Sequence, residues 1–277
     1  MKSLQEYRDA YAHAVVQSAG SASQRLIAAF ASTPREHYLG PGPWHIFAGS
    51  AFGSTASDDP RQLYQDVLVE IDMDRGINNG QPSLHALCLA ACAPAPGESV
   101  LHIGAGGGYY TAILAVLVGP AGSVLAYEIE ADLAARARAN LGHIPNVRVI
   151  AASACDGPLP QADVIYVNAG ATHPPGSWLD ALNPGGRLVF PLTSHEGYGV
   201  MLQVTRRGTA RYHASALARV AFIPCAGARD DASSDALATA LARRSVQAIR
   251  SLRRGTHPDD TAWCALAGSW LSTAEPQ

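Results

Sequence analysis

The feature that most constrains the fold is an alternation of strand-like and helix-like segments after Pro82. Apolar segments such as SVLHI, ADVIYV and RLVFPL alternate with helical patterns such as YYTAILAVLV and ADLAARARANL. This alternation is typical of a mainly parallel sheet covered by helices on both faces. The sequence therefore predicts an α/β fold, and two later segments, VMLQVTRR and RYHASALARVAFIP, are expected to pair antiparallel at the sheet edge.

Helical patterns flank this alternating region. Residues 3–32 have apolar positions at helical spacing, and the chain after Asp231 is predicted to be helical again. Trp263 and Trp270 are expected two turns apart on a helix, where they support packing or a dimer contact. The solvated face of the C-terminal helices is expected to carry five arginines: Arg243, Arg244, Arg250, Arg253 and Arg254.

The segment 38–60 is rich in glycine, proline and serine, which interrupts any periodic pattern. Unstructured connections longer than about 12 residues are uncommon in compact domains. The segment is therefore interpreted either as a binding loop or lid, or as a disordered insertion.

Composition excludes several classes of protein. The 277 residues are 48% hydrophobic and 16% charged, and no apolar run approaches the roughly 18 residues of a membrane span. The N-terminus lacks the continuous apolar stretch of a signal peptide, so we expect a cytoplasmic protein. A net charge of −3 makes a nucleic-acid partner unfavoured. The five cysteines form no CxxC pair, so neither a metal site nor a disulfide framework is predicted.

A glycine-rich loop follows the first apolar strand, in the sequence VLHIGAGGGYY. Glycines at this junction allow a nucleotide-like cofactor to approach backbone amides closely. The dinucleotide pattern Gly-x-Gly-x-x-Gly would need a glycine at Tyr109, whereas Gly-x-Gly-x-Gly is complete at Gly104, Gly106 and Gly108. The loop therefore favours S-adenosylmethionine over a nicotinamide cofactor.

Two acidic residues follow the next strands. Glu128 ends SVLAYE, where a carboxylate can accept the two ribose hydroxyls, and Asp156 follows VRVIAA, where it can accept the adenine amino group. The alternatives are a helix N-cap for Glu128 and a plain turn residue for Asp156. His102 stands two residues before the first glycine, where such sites commonly have an acid, and is interpreted as a satisfied strand histidine.

Several further segments carry a resemblance: RLIAAFASTPREHYL, YQDV, VLHIGAGGGYYTAILA, ACDG, NPGGRLVFPL and VAFIPC. From about Arg25 to Pro224 the chain resembles the protein-L-isoaspartate O-methyltransferase family. The resemblance implies a Rossmann-like class I S-adenosylmethionine-dependent methyltransferase sheet with helical N- and C-terminal additions, and methyl transfer to a carboxylate. The predicted cofactor contacts are Gln81, His102, Gly104, Ala105, Gly106, Gly108, Tyr109, Glu128, Ile129, Cys155, Asp156 and Asn168.

One segment departs from the family pattern. Where the family has a Thr-Ile-Ser-Gln-Pro-like stretch with its serine at the active site, this chain reads INNGQPS. Aligning the Gln-Pro pair places Gly80 at the serine position. The catalytic candidates are Asn79 and Gly80 here, with His173 and His195 in the loops after two later strands.

The acceptor decides which chemistry is needed. A carboxylate is already ionised near neutral pH and needs no general base, whereas an amine or hydroxyl would gain from a histidine base. The leading hypothesis is O-methylation of an isoaspartyl or aspartyl carboxylate on a peptide or protein. The alternatives are a small-molecule or peptide N- or O-methyltransferase, or a non-catalytic cofactor-binding adaptor.

The predicted organisation has three segments and leaves the oligomeric state open. Residues 1–82 are expected to form a helical segment and active-site loop, 83–228 the cofactor-binding core, and 229–277 a helical extension. The predicted partners are an acceptor peptide, protein or small molecule, with a homodimer left open and no membrane partner.

Overall fold

The computed structural model describes residues 2–49 and 51–276, so Met1, Ser50 and Gln277 lie outside the described residues. Ser50 belongs to the segment for which a lid or a disordered insertion was expected. Among the described residues, no helix is both long and apolar enough to cross a membrane.

The chain forms two compact units. The first comprises residues 1–97 and 105–151, and the second comprises residues 98–104 and 152–277. The three predicted segments 1–82, 83–228 and 229–277 stay a prediction.

The first unit begins with helices. Ser3 caps the first helix through a capping box, because its hydroxyl accepts from Glu6 N at 3.2 Å and its own N–H donates to the Glu6 carboxylate. The predicted N-terminal helical segment is therefore confirmed as two helices. The helices of this unit are α1 (Leu4–Ser18), α2 (Gln24–Ser32), α3 (Glu36–Leu39), α4 (Pro82–Cys92), α5 (Tyr109–Val118) and α6 (Ala131–Leu141).

An antiparallel sheet of the first unit has the order β2-β1-β3-β4. The interpretation of residues 38–60 as a disordered insertion is wrong for the described residues, because β1 and β2 form a hairpin. The hairpin is ordered by packing: Trp44 is buried in a cluster with Leu63 and Val69, and Phe47 lies opposite Phe52. The strands are β1 (His45–Ala48), β2 (Ala51–Ser54), β3 (Leu68–Asp72) and β4 (Ile77–Asn78).

Two parallel strands complete the first unit. They are β6 (Ser123–Glu128) and β7 (Val147–Ala151), and their register places Glu128 opposite Ala151. Helix α5 precedes β6, and α6 connects β6 to β7, as the alternation predicted. The carboxyl end of β6 thus presents Glu128 at the end of a parallel strand.

The second unit is built on a sheet with the strand order β13-β14-β12-β11-β10-β9-β8-β5. Strands β5, β8 and β9 are parallel, and β9, β10 and β11 are antiparallel. The predicted antiparallel pairing is therefore confirmed, but its predicted position at the sheet edge is wrong, because β11 also pairs with a later strand. The bounds are β5 (Ser99–Ile103), β8 (Ala162–Val167), β9 (Leu182–Thr193), β10 (Tyr198–Gly208) and β11 (Arg211–Ala221), and the helix α7 (Gly176–Ala181) precedes β9.

The C-terminal tail corrects the prediction of a wholly helical extension. After α8 (Asp231–Arg243) the chain forms a short 3₁₀ turn and then three strands, β12 (Ser251–Arg254), β13 (Ala262–Leu266) and β14 (Ser269–Ser272). Trp263 lies in β13 and Trp270 in β14, so their spacing of seven spans a hairpin instead of two helical turns. The hairpin turns at Gly268, and Trp263 is buried with its indole N–H donating to Ser245 O at 3.0 Å.

The predicted arginine face is wrong for Arg250, Arg253 and Arg254, which lie outside the helices, whereas Arg243 is exposed at the end of α8. Arg253 lies in β12, stacks over Trp270 at 4.9 Å and pairs with Asp259 at 3.0 Å. Arg244 directly follows α8 and donates to Trp263 O at 2.8 Å, and Arg254 pairs with Asp180. These arginines make local contacts within the second unit.

Candidate active site

A buried arginine of the first unit organises the segment that precedes the predicted acceptor region. Arg35 is fully buried, and its guanidinium donates to three carbonyl groups of one segment, those of Leu63, Gln65 and Val67, at 2.7–3.0 Å. Charged donors make strong hydrogen bonds to carbonyl oxygens. Arg35 therefore fixes the backbone that carries Asp66.

Asp66 connects this segment to the start of α4. One carboxylate oxygen accepts from Ser83 N at 2.7 Å, and the other accepts from the Gln81 side chain at 3.0 Å. A carboxylate at a helix N-terminus satisfies free N–H groups and stabilises the helix. Gln81, a predicted cofactor contact, is held in place by this pair.

The segment before α4 carries the first two catalytic candidates. Gly80 has a φ of +74° and donates its N–H to the Asn78 side chain at 2.9 Å. Asn79 N donates to Val69 O at 2.9 Å. Both polar atoms of the Asn79 carboxamide are buried, and neither has a hydrogen-bond partner among the described residues.

The glycine loop of the first unit is tied to Glu128. Gly106 N donates to one oxygen of the Glu128 carboxylate at 2.7 Å, while Glu130 N donates to the other at 3.0 Å. Ala105 N donates to Tyr127 O at 3.1 Å. Glu128 is only 6% exposed, so its carboxylate is fixed in orientation before any ligand binds.

Gly108 shows why the loop needs glycine. Its φ is +96°, and a Cβ at this position would lie 2.8 Å from Leu141 Cδ1. An L-residue would be strained there by its backbone and by the contact with α6. Gly104, in the second unit, also has a positive φ. The conformation fits a loop that presents its backbone to a ligand.

Tyr109 and Ile129, two predicted cofactor contacts, differ in how exposed their side chains are. The Tyr109 ring is buried among α1 and α2, with its hydroxyl 3.4 Å from that of Tyr11 and its ring 6.5 Å from that of Phe30. Burial raises the pKa of Tyr109 well above its usual value. Only its backbone remains for a ligand, whereas Ile129 is 49% exposed.

His102 and Asn168 pair in the second unit. His102 is fully buried on β5, and its Nε2 accepts from Asn168 Nδ2 at 2.8 Å. Burial lowers the pKa of His102 to about 3, so the ring is neutral at neutral pH. Asn168 Oδ1 is buried and has no hydrogen-bond partner among the described residues, which leaves one acceptor for a ligand.

Cys155 and Asp156 lie in the turn after β7. Asp156 is exposed, and its neighbours Cys155 and Gly157 line an open cleft of about 520 Å³ in the second unit. A hydrogen bond from Cys225 lowers the pKa of the Cys155 thiol. Asp156 therefore lies in the chain between two residues of the cleft lining.

His173 follows β8 in a half-buried position. Its Nδ1 lies 3.2 Å from the Thr172 hydroxyl. Desolvation lowers the pKa of His173, partly opposed by the nearby Asp230 carboxylate. A neutral imidazole with a depressed pKa is able to accept a proton only weakly.

His195 is engaged at both ring nitrogens. Nε2 lies 2.8 Å from the Asp231 carboxylate, and Arg229 Nη2 lies 3.3 Å from Nδ1. Because a guanidinium can only donate, Nδ1 is the acceptor and the Nε2–H donates to Asp231. In this arrangement neither nitrogen is free to take a proton from an acceptor.

Three residues that organise the site were not predicted from the sequence: Arg229, Arg35 and Asp66. Arg229 donates to the carbonyl oxygens of Gly170 and Ser194, which belong to the two loops carrying His173 and His195. Arg35 and Asp66 lie in the quoted Pro-Arg-Glu and Tyr-x-Asp motifs, but only the folded chain shows what they bind. No cluster of histidine, cysteine or acidic side chains among the described residues is arranged to hold a metal ion.

Two solved structures place this fold in a known class. One is a protein-L-isoaspartate O-methyltransferase with a TM-score of 0.66 and 24% identity, covering 79% of this chain and 66% of that chain. The other, a beta-aspartate methyltransferase (PCMT) from Plasmodium falciparum in complex with S-adenosyl-L-homocysteine, has a TM-score of 0.64 and 19% identity, covering 79% and 98%. The predicted fold class, a class I S-adenosylmethionine-dependent methyltransferase, is confirmed.

Sequence comparison identifies the family. The model of the Protein-L-isoaspartate(D-aspartate) O-methyltransferase family matches residues 12–230. A protein-L-isoaspartate O-methyltransferase from Brucella anthropi is 35% identical over 54% of this chain and 72% of its own length, and one from Aeropyrum pernix is 33% identical over 69% and 70%. The chain therefore belongs to the protein-L-isoaspartate(D-aspartate) O-methyltransferase family, and the predicted cofactor, S-adenosylmethionine, is confirmed.

Coverage of the relatives varies. The corresponding protein from Methanopyrus kandleri is 39% identical over 44% of this chain, and the match spans 56% of its length. Family membership does not favour the small-molecule and adaptor alternatives. The individual site residues stay predictions.

Proposed function

We propose that this chain transfers the methyl group of S-adenosylmethionine to an isoaspartyl or aspartyl carboxylate on a peptide or protein. The observation that supports this most directly is the Gly106–Glu128 pair, because it joins the glycine loop to a buried carboxylate at the end of a parallel strand. Methyl transfer to a carboxylate is the activity named for the family that matches residues 12–230.

In the first unit, the proposed cofactor contacts lie on one loop and one strand end. The backbone of residues 105–109 and the Glu128 carboxylate offer the donors and acceptors that a nucleoside with ribose hydroxyls requires. Gln81 and Ile129 complete the predicted contacts of this unit. The fixed orientation of Glu128 means that binding costs little side-chain ordering.

In the second unit, the proposed contacts are a carboxylate, an amide and a thiol. Asn168 supports the assignment because its buried Oδ1 has no partner among the described residues, and Asp156 because it is exposed between two residues, Cys155 and Gly157, that line the open cleft. Cys155, Gly104 and His102 complete the predicted set. His102 is fully buried, so we expect it to act by orienting Asn168.

Methyl transfer to a carboxylate requires that the two reacting groups are positioned more than that the acceptor is activated. When bound, S-adenosylmethionine supplies an electrophilic methyl group, and a carboxylate oxygen forms the new O–C bond while the sulfur keeps the electron pair of the broken bond. A carboxylate is already ionised near neutral pH and needs no base. The engagement of both His195 nitrogens agrees with such an acceptor. The remaining task of the protein is to align the two groups away from water.

The kind of acceptor, the cellular location and the binding partners are proposals as well. An acceptor presented on a peptide or protein fits the family, and we place the activity in the cytoplasm. A homodimer and the absence of nucleic-acid binding stay predictions.

The test is transfer of radiolabelled methyl to an isoaspartyl peptide and its aspartyl twin, with an acceptor-free control. We expect the peptide to become labelled. Mild base should then release the label as methanol, because a carboxyl methyl ester is base-labile. Base-stable label would indicate an amine acceptor and contradict the proposal. Tight cofactor binding without transfer to either peptide would also contradict it.

A further inference from the structure

Two cysteines of the second unit lie far apart in the chain but belong to turns that contact each other. Cys155 lies in the turn after β7, and Cys225 begins a turn after β11 in which Ala228 N donates to Cys225 O at 3.2 Å. A Cβ added to Gly227 would lie 2.9 Å from Cys155 Cβ and 3.5 Å from its Sγ. The second turn therefore packs directly against the Cys155 side chain.

Both turns are anchored in the second unit. Trp178 is fully buried, and its indole N–H donates to the carbonyl oxygen of Ala154, the residue before Cys155, at 3.0 Å. Cys225 N donates to Gly170 O at 2.8 Å. Because each turn has its own backbone anchor, the approach of the two cysteines is a fixed feature of the fold.

The two thiols differ in accessibility and in protonation. Cys155 is partly exposed and lines the open cleft, whereas Cys225 is 5% exposed. A hydrogen bond between the two thiols lowers the pKa of Cys155 and, together with burial, raises the pKa of Cys225. The thiolate is the reactive form of a cysteine. Cys155 is therefore the nucleophile of the pair, and Cys225 keeps its proton as the hydrogen-bond donor.

The other three cysteines have a different environment. Cys88 and Cys92 are fully buried in α4. Cys264 is 5% exposed in β13, and burial raises its pKa to about 12. Buried cysteines of this kind are inert. An accessible thiolate beside a second thiol is instead the arrangement found in redox-sensitive proteins.

We propose that Cys155 and Cys225 form a redox-sensitive site that reacts with hydrogen peroxide and closes to an intramolecular disulfide. The Cys155 thiolate attacks one peroxide oxygen, so an S–O bond forms, the O–O bond breaks and hydroxide leaves. Cys225 then attacks the Cys155 sulfur to form the S–S bond, and the hydroxyl group leaves with the Cys225 proton as water. The two cysteines are oxidised and the peroxide is reduced.

The disulfide would tether two segments that carry other residues of the candidate site. Asp156, a predicted cofactor contact, directly follows Cys155. Arg229, which holds the loops after β8 and β9, lies shortly after Cys225. The thiol chemistry needs neither the cofactor nor a methyl acceptor, so it is tested independently of the proposed methyl transfer.

The first test identifies the bond. Reduced wild-type protein is treated with hydrogen peroxide, its remaining thiols are blocked with N-ethylmaleimide under denaturing conditions, and disulfides are mapped by mass spectrometry without reduction. We expect one intramolecular bond, between Cys155 and Cys225, that dithiothreitol reverses. The matched control is Cys264→Ser, which removes a buried thiol of the same unit and should form the bond at the wild-type rate.

Single substitutions assign the role of each thiol. In Cys225→Ser, oxidation of Cys155 should stop at the sulfenic acid, which dimedone traps. In Cys155→Ser, oxidation of Cys225 should slow about tenfold or more, because the remaining thiol is buried and protonated. Oxidation of Cys225 at the wild-type rate in Cys155→Ser would contradict the assignment of Cys155 as the nucleophile.

Three results with the wild-type protein would overturn the proposal. They are five free thiols after peroxide treatment, a disulfide that pairs either residue with another cysteine, and bonds formed only between molecules. These results need no substitution, so they decide the question even if a serine variant does not fold.

The second test uses the contact between the two turns. Gly227→Ala places a methyl group against Cys155, whereas Gly185→Ala meets no atom within 4 Å, and the two glycines have similar φ values of +85° and +82°. Both changes strain the backbone alike, but a disulfide also needs a specific placement of its Cβ atoms. We therefore expect disulfide formation to slow about tenfold or more in Gly227→Ala only. Equal rates in the two variants would contradict a reaction that depends on this contact.

Discussion

Two polar regions of the first unit differ in how their hydrogen-bonding groups are used. At the glycine loop, the Glu128 carboxylate accepts from Gly106 N and Glu130 N. In segment 78–85, the buried Asn79 carboxamide has no partner among the described residues. An unpaired buried polar group costs folding free energy. The difference therefore separates a region whose polar groups are already paired from one where a buried polar side chain is left for a ligand.

The largest effect is expected for a substitution that removes the paired carboxylate at the glycine loop. Glu128→Ala removes the carboxylate that orients the loop and that we propose accepts the ribose hydroxyls, so the Kd for S-adenosylhomocysteine should rise about a hundredfold, as expected for two charge-assisted hydrogen bonds. Isothermal titration calorimetry measures it. The matched control is Glu130→Ala, whose side chain is 41% exposed and pairs with Arg75, and its Kd should stay within about threefold. Equal losses in both variants would contradict the role of Glu128.

A second prediction extends this comparison of paired and unpaired polar groups to the second unit, where the neutral His102 ring accepts from Asn168. The folded chain holds the pKa of His102 at about 3, below its ordinary value of 6.5. Between these values the unfolded chain binds a proton that the folded chain does not. The free energy of unfolding should therefore fall as pH falls below about 6.5, by up to about 1.4 kcal/mol per pH unit from this group.

Urea unfolding at pH 6.5, 5.5 and 4.5 measures this slope. His102→Gln keeps an acceptor for Asn168 but cannot bind the proton. It should reduce the slope of the unfolding free energy against pH by up to about 1.4 kcal/mol per pH unit, which corresponds to one proton. His257→Gln, at an exposed position, should leave it unchanged. A slope that is the same in His102→Gln and the wild type would show that His102 is not the titrating group.

The smallest expected effect concerns segment 78–85, where the Asn79 carboxamide has no partner among the described residues. Asn79→Ala removes two unpaired buried polar atoms, so the free energy of unfolding of the free enzyme should stay equal or rise by about 1 kcal/mol. The same change should raise the KM for the acceptor peptide about tenfold. Thermal unfolding and initial rates measure the two quantities. A loss of stability of more than about 1 kcal/mol would assign the carboxamide a structural role instead.

The elements of the fold that the sequence predicted are those with a strong local pattern. Strands β5, β8 and β9 and helices α5 and α6 follow from apolar runs and helical spacing. The C-terminal strands were missed because Trp263 and Trp270 suit two helical turns as well as two strands joined at Gly268. The hairpin of β1 and β2 was missed because its order comes from Trp44 and other distant packing contacts.

The candidate site divides in the same way. The glycine loop and Glu128 were predictable because a strand, a loop and a carboxylate follow each other at fixed spacing. Nothing local marks Arg229, whose guanidinium donates to the carbonyl oxygens of Gly170 and Ser194. Its role depends on two loops that only the folded chain brings to it.

The most direct test of the proposed activity is a comparison of initial rates on a matched pair of synthetic peptides that differ only in an isoaspartyl or aspartyl linkage, at saturating S-adenosylmethionine. Carboxyl methylation predicts a base-labile ester on at least one of the two peptides. A folded enzyme that binds the cofactor and methylates neither peptide, or forms only a base-stable product, would contradict it.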